Sequence, residues 1–369
     1  MSEQSFDLVV VGAGIVGLGA AYEGRRRGLR VAVVERSAGV QGASVRNFGH
    51  VGVTGQSGEA LGYALEARER WLALAAEAGF WTSQRGGAIV ARGEEEQALL
   101  EQLAAERGHA QLRLHGADAI REATGAADAR ITGGALLPLD LQVDPREAAP
   151  AIARHLEARG VVFRWGSAAL GIEPGSVTTA SGTLRADAVV VAVNADVDQF
   201  FPQLAAEARL RRCGLDMLLL DWRGAPAVPH PLLTGSSMLR YSAFAGLDGA
   251  EALRERIAYE QPEMIERDVN QMVTQRPDGT LIVGDTHYRG HAVAPFQEER
   301  SFAYLLELNE QLFARRAPVL QRWQGVYASA PQEFLLADPA PGVRVASVTT
   351  GIGMTTGLGF AAHAVAGLL

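Results

Sequence analysis

Glycines at 12, 14 and 17, an acid at 35, and a second set of glycines at 351, 353 and 357 have the types and spacing that most restrict the chemistry of this chain. Gly12-Ala13-Gly14-Ile15-Val16-Gly17 has the G-x-G-x-x-G spacing. Gly12 permits a tight turn, Gly14 lets the backbone approach a diphosphate, and Gly17 lets a helix pack close to a strand. Ile15 and Val16 open that helix, whose free N–H groups and positive dipole end favour an anion. Glu35 lies 18 residues after Gly17. A carboxylate there accepts hydrogen bonds from ribose hydroxyls and repels a ribose 2′-phosphate. The motif does not separate a nicotinamide dinucleotide from a flavin.

Other chemistries are excluded by what the chain lacks. All 34 Lys+Arg residues are arginine. Schiff-base and pyridoxal-phosphate catalysis need a lysine amine and are therefore ruled out. Cys213 is the single cysteine, which excludes internal disulfides and cysteine-rich metal sites. Its plain reading is a small buried hydrophobe. No serine sits in a nucleophile elbow, and the eight histidines form no metal-ligand pattern. His287 and His291 are four apart, but Gly290 lies between them, so the pair reads as part of a polar loop.

The elements that must position these residues follow from the apolar pattern. Leu8 to Val11 read as a buried parallel strand, a helix follows, and Arg30 to Val34 form a second strand. Pro145 to about Arg159 read as an amphipathic helix stopped by Gly160, and a strand follows. Ala188 to Val193 form another buried strand. The chain then re-enters the same sheet near residue 343 and passes through the turn with Gly351, Gly353 and Gly357 into a last helix. A second glycine turn and helix N-terminus point to a second electronegative group. A nicotinamide domain does not need one. A flavin can use it, because reduced flavin carries negative charge at N1/O2.

The composition sets the class. The chain has 369 residues, 48% hydrophobic and 21% charged, which fits an ordinary globular protein of two domains. A net charge of −8 argues against nucleic acid or an anionic membrane as partner. No apolar run approaches the roughly 18 residues of a membrane span. The chain enters a strand almost at once, with Asp7 at its start, so no secretion leader is expected and the expected location is cytoplasmic.

With these landmarks the chain resembles the FAD-dependent oxidoreductases of the D-amino-acid oxidase class, the group holding glycine and sarcosine oxidases. The resemblance rests on "VVVGAGIVG", "GASVRNFGH" (Gly42 to His50), "VDPREAAPAIARHLEARGV" (Val143 to Val161), "ADAVVVAVNA" (Ala186 to Ala195), "RWQGVYASA" (Arg322 to Ala330) and "TGIGMTTG" (Thr350 to Gly357). It implies an α/β fold: a discontinuous Rossmann-like FAD domain at 1–79, 140–212 and 323–369, and an α+β substrate domain on a mainly antiparallel sheet at 80–139 and 213–322. "GGAIVARGEEEQALLEQL" from Gly86 and "GTLIVGDTHYRG" from Gly279 read as strands of that second domain. The resemblance also implies FAD held without a covalent bond, since no cysteine lies around Val326 to Ala330. Beyond the first turn, the segments that would meet it supply Arg36, Gly42, Ala43, Ser44, Asn47, Phe48, Gly49, Ala169, Ala192, Asn194, Gly351, Gly353, Met354, Thr355 and Thr356. Asn194 stands where the family has glycine.

The same resemblance directs attention to His50, Tyr241, Tyr327 and Thr355 as residues facing the substrate. His50 could place positive charge near the flavin or accept the amine proton. Tyr327 and Thr355 stand where relatives carry an arginine and a lysine that hold the substrate carboxylate. Either an arginine elsewhere (Arg46, Arg240 or Arg276) takes over, or the substrate anion is not a carboxylate, and a phosphonate suits hydroxyls and a histidine. The expected activity is oxidation of a small primary or secondary amine, an aminophosphonate such as N-methyl-2-aminoethylphosphonate, to an aldehyde and free amine, with oxygen as acceptor and hydrogen peroxide as product. The alternatives are an amino-acid or hydroxy-acid dehydrogenase serving a quinone or carrier, and a flavin-containing RNA-modifying scaffold, which the charge disfavours. Homo-oligomerisation stays open.

Overall fold

The computed structural model describes residues 4–368; residues 1–3 and 369, at the ends of the expected FAD domain, lie outside it. The first strand, β1 (Gln4–Val11), leads into α1 (Ile15–Arg26) and β2 (Val31–Val34), followed by the long helix α2 (Gly58–Ala78). Next come β3 (Gly87–Ala91), α3 (Glu94–Arg107), β4 (Arg113–Gly116) and β5 (Gly133–Leu137). The helix α4 (Pro145–Ala158) precedes β6 (Val162–Arg164) and β7 (Gly182–Val191). Then β8 (Arg211–Leu220), β9 (Leu232–Leu233), β10 (Met272–Gln275) and β11 (Leu281–Gly284) lead to α5 (Glu299–Phe313). The chain closes with β12 (Val319–Ala340), β13 (Val343–Thr350) and α6 (Gly353–Ala366).

Among the described residues sixteen strands join one sheet, whose main path runs β4-β5-β3-β9-β10-β11-β8-β12-β13-β7-β1-β2-β6. One end is parallel: β1 lies between β2 and β7, and β7 pairs with β13, as the apolar runs at 8, 189 and 343 required. Here alternate residues bury on opposite faces. Leu8, Val10, Val31 and Val33 enter the core under α1, α2, α4 and α6. Val9, Val11, Ala32 and Val34 enter the core on the other face. That two-sided burial is why these strands read as unbroken apolar runs. The other end is mainly antiparallel and has its own core from residues 88–137 and 213–327.

A single strand joins the two ends. The first half of β12 pairs antiparallel with β8 from Val319 to Ser329, and its second half with β13 from Ser329 to Ala340. The expected boundaries at 212/213 and 322/323 therefore fall inside β8 and β12. One expectation needs correcting. In "GGAIVARGEEEQALLEQL" only the first part is a strand; Glu94 onward is α3. Three glutamates in its first turn complement the helix dipole, and Leu99, Leu100 and Leu103 are buried beneath it. No helix among the described residues is long and apolar enough to cross a membrane.

Candidate active site

A deep cleft runs from the carboxyl ends of β1 and β2, beneath the start of α6, to the antiparallel end of the sheet. At its first end lie Gly12, Gly14, Ile15 and Val16, with Glu35 and Arg36 at the end of β2. Gly12 has φ +102°, in the left-handed region, and a β-carbon there would overlap the Ala192 carbonyl oxygen. Gly17 does not line the cleft. It lets α1 pass against the Gly12 carbonyl, where a β-carbon would also overlap. Glu35 Oε2 accepts the Ala13 N–H and Oε1 the Ser37 N–H, each at 2.8 Å. The acid thus fixes the turn it follows. Arg36 pairs with Asp196 at 2.8 Å, and Ala169 and Ala192 complete this wall.

The middle of the cleft is built from Gly42, Ala43, Ser44, Arg46, Asn47 and Phe48. Ser44 Oγ accepts the Ile15 N–H at 2.8 Å, which docks this segment on α1. Asn47 donates to the Ala43 carbonyl and accepts the Gly49 N–H, both at 2.7 Å, so it holds the loop's shape. Asn194 also lines the cleft, with φ +58°. This accounts for asparagine in a family glycine position: both tolerate the left-handed region. Its side chain bonds the Val326 carbonyl (3.2 Å) and the Ala328 N–H (2.7 Å), clamping β12 on either side of Tyr327.

Opposite, Gly351 turns with φ +83° and lies against the Tyr327 ring, and Gly353 and Met354 start α6 at the wall. The residues preceding α1 and α6, Gly14 and Ile352, supply no side-chain cap, and in α1 the Ile15 N–H is taken by Ser44. Two helix starts, each of a helix longer than ten residues, thus face one cleft. This is the donor set that a diphosphate and an electronegative ring edge require.

The far end carries the polar groups. Arg240 Nη2 donates to the Tyr327 hydroxyl at 3.1 Å, and its Nη1 lies 3.2 Å from Asp268. Burial works against the Arg240 charge, but Tyr327, Asp268 and Asp285 outweigh it and raise its pKa further. Burial pushes Tyr241 up to about 12 and raises Tyr327 as well, so both hydroxyls keep their protons. The Tyr241 hydroxyl lies 3.9 Å from the Met272 sulfur, a weak acceptor, and beside the Asn270 side chain. Asn270, Asp285 and His287 also line this end.

Not every residue singled out from sequence reaches the cleft. His50 is buried behind it, with Nε2 2.8 Å from Asp140 Oδ2, and Asp140 in turn accepts the Thr54 N–H. Thr355 Oγ1 accepts the Gly52 N–H at 3.0 Å, and Thr356 Oγ1 donates to the Ile352 carbonyl. Gly49 packs on the Val143 carbonyl. Arg276 is engaged by Asp144 and Asp278, and Arg46 is exposed at the rim. Arg240 is the arginine that the fold places, half-buried, at the polar end. Asn270, Asp285 and His287 were missed. Their only signal in "GDTHYRG" is a cluster of polar residues directly after an apolar strand.

A parallel nucleotide-binding sheet that runs into an antiparallel one, with two helix starts facing the cleft between them, defines a flavoprotein. Residues 7–367 match the family described as FAD dependent oxidoreductase (DAO), and the chain belongs to that family. No curated protein matches the chain. Among solved structures, glycine oxidase from Geobacillus kaustophilus is similar at 19% identity and TM-score 0.80, over 99% of this chain and 94% of that one. L-proline dehydrogenase from P. horikoshii is similar at 18% identity and TM-score 0.79, over 98% and 92%. L-alpha-glycerophosphate oxidase from Mycoplasma pneumoniae, with FAD bound, is similar at 16% identity and TM-score 0.74, over 98% and 94%.

Glu35→Ala should weaken FAD binding, because the turn loses two acceptors and the ribose would lose one. Charge-assisted bonds contribute roughly 1.5–3 kcal/mol each, so the dissociation constant should rise about ten- to a hundredfold. Turnover at saturating FAD should barely move. A large fall in turnover with unchanged FAD affinity would place Glu35 at the other end of the cofactor.

Proposed function

We propose that this flavoenzyme oxidises a small amine whose other end is an anion, with an aminoalkylphosphonate such as N-methyl-2-aminoethylphosphonate as substrate. The carrying observation is the convergence of Arg240 and Tyr327 at the polar end of the cleft. Tyr241 and Asn270 add donors beside them. One cation with several hydroxyl and amide donors suits a tetrahedral anion of three oxygens. The reading does not draw on Thr355 or Thr356, whose hydroxyls are used within the fold.

FAD, when bound, accepts the hydride from the carbon beside the nitrogen. The chain's own part is to bind and orient the substrate: Arg240 and Tyr327 hold the anion, and apolar neighbours such as Phe48 and Leu215 exclude water. The imine then hydrolyses to an aldehyde and free amine. The acceptor in this reading is oxygen, with peroxide as product. The absence of any lysine, the residue that activates oxygen in sarcosine-oxidase-like relatives, favours a quinone or carrier as the second reading.

The test measures turnover of glycine, sarcosine, 2-aminoethylphosphonate and its N-methyl form, with peroxide and with an artificial acceptor as separate readouts. Two additional hydrogen bonds to a charged group, at roughly 1.5–3 kcal/mol each, predict at least about a hundredfold preference for the phosphonates. Equal efficiency on glycine or sarcosine would leave amine oxidation standing and remove the phosphonate.

A further inference from the structure

Asp285 and His287 face the same polar end as Arg240, and each is left with an acceptor atom that the described residues do not fully satisfy. Asp285 is 5% exposed and its Oδ1 accepts no hydrogen bond. Its backbone is pinned from both sides: its N–H donates to the Asn270 carbonyl and its carbonyl accepts the Asn270 N–H. These bonds fix the position of the backbone from which the carboxylate projects. His287 is also buried, with Nδ1 2.7 Å from the Asp268 carbonyl. A carbonyl only accepts, so Nδ1 carries the proton and, in the neutral ring, Nε2 presents a lone pair. Burial, with Arg240 second, holds the His287 pKa well below its ordinary value, so the ring is neutral. Nε2 then lies 3.6 Å from Asp285 Oδ2. Two acceptors, Asp285 Oδ2 and His287 Nε2, thus lie side by side, with the Asn270 amide as the neighbouring donor to the carboxylate.

We propose that Asp285 and His287 form the amine-recognition site of the cleft, accepting the two N–H groups of a secondary ammonium while Arg240 and Tyr327 take its anionic end. The assignment rests on the amine-oxidase reading above and adds what that reading lacks, a group for the nitrogen. Asp285 also takes the proton. One N–H bond of the ammonium breaks, an O–H bond forms on the carboxylate, and the nitrogen keeps the electron pair that it must have before the adjacent carbon can give up hydride. The charged groups around Asp285 are Arg240 and Asp268, with neutral Tyr241, Tyr327 and His287 beside them. Burial raises the Asp285 pKa to about 7; Arg240 pulls it down, Asp268 pushes it up, and hydrogen bonds from its own backbone and the Asn270 side chain pull it down. A base in that range is matched to accepting a proton near neutral pH. Its form that can act is the carboxylate, so activity should rise as pH passes upward through about 7.

The experiment compares the wild-type holoenzyme with Asp285→Asn and Asp285→Glu. It uses N-methyl-2-aminoethylphosphonate as substrate and ethylphosphonate, which has no amine, as a probe that perturbs the flavin spectrum. Asp285→Asn should retain its FAD and bind ethylphosphonate within a few-fold of wild type. It should lose at least about a hundredfold in kcat/KM, as removal of a positioned base does, and lose the rising limb of the pH profile. Asp285→Glu should recover part of both. Unchanged kcat/KM and an unchanged limb in Asp285→Asn would overturn the assignment while leaving amine oxidation intact. So would a loss of ethylphosphonate binding as large as the loss of kcat/KM, which would make Asp285 a prop for Arg240. A wild-type enzyme that turns over no amine would overturn the functional reading and this assignment together.

Discussion

Arg240→Met should lower kcat/KM for an anionic amine by about a hundred- to ten-thousandfold, mostly through KM. Methionine keeps the apolar stem but removes the cation and its donors. The guanidinium side chain is 16% exposed, so water cannot readily replace it. It makes one bond to Tyr327 and one to Asp268, and a guanidinium carries five N–H groups, which leaves donors for an anion among the described residues. Two charge-assisted bonds at roughly 1.5–3 kcal/mol each give that range, with about 1.4 kcal/mol per factor of ten. Steady-state kinetics on the preferred amine, with FAD content measured alongside, checks the value. Unchanged KM would move the anion site away from Arg240. Tyr327→Phe removes a single neutral donor and should have a smaller effect of the same kind.

Gly12→Ala should yield protein without flavin. The substitution places a methyl group against the Ala192 carbonyl, and φ +102° is strained for any residue with a β-carbon. The clash is with backbone, which cannot rotate aside, and that backbone is held: the Ala192 N–H donates to the Val11 carbonyl at 2.8 Å. Relief requires the end of β1 to separate from β7, which deforms the turn. Gly28→Ala is the control. Gly28 also has positive φ, +80°, but a β-carbon there meets nothing within 4 Å. It should cost about 1 kcal/mol of strain and leave the protein yellow. If both variants retain flavin, the turn tolerates the methyl and the account of Gly12 fails.

These two positions differ in how far the sequence exposes them. Gly12 is legible because the phosphate turn is local: strand, turn and helix lie within 23 contiguous residues, Gln4 to Arg26. The helix stop at Gly160 is legible for the same reason, and its φ is +86°. Arg240 appears in the sequence only as one of three arginines. Choosing it needs the partners of the others, such as Asp144 for Arg276, 132 residues away. His50 shows the opposite failure. It follows the segment that lines the cleft, yet its short strand pairs with Leu141 and Gln142, and the imidazole is directed to Asp140 behind the wall. A change of side within one or two residues is the ordinary behaviour of extended chain. Asp285 and His287 were hidden because a polar cluster after a strand reads as solvated loop. Only the packing of β8, β10 and β11 around it shows that water is excluded.

The length of β12 has a mechanical consequence. A strand bonded to β8 along one half and to β13 along the other acts as a beam fixed at both ends. Swinging one half of the molecule away from the other would strain this shared strand, whose ladders are interrupted by register shifts, the widest between Ser329 and Phe334, so the fold resists a wide clamshell opening. Substrate and product must pass through loop and side-chain fluctuations at the mouth, which occur in nanoseconds to microseconds, faster than most hinge motions. The beam also leaves neither half able to close its own sheet edge. The parallel and antiparallel ends should therefore melt as one cooperative unit, and a chain severed between Val319 and Ala340 would lose the integrity of both.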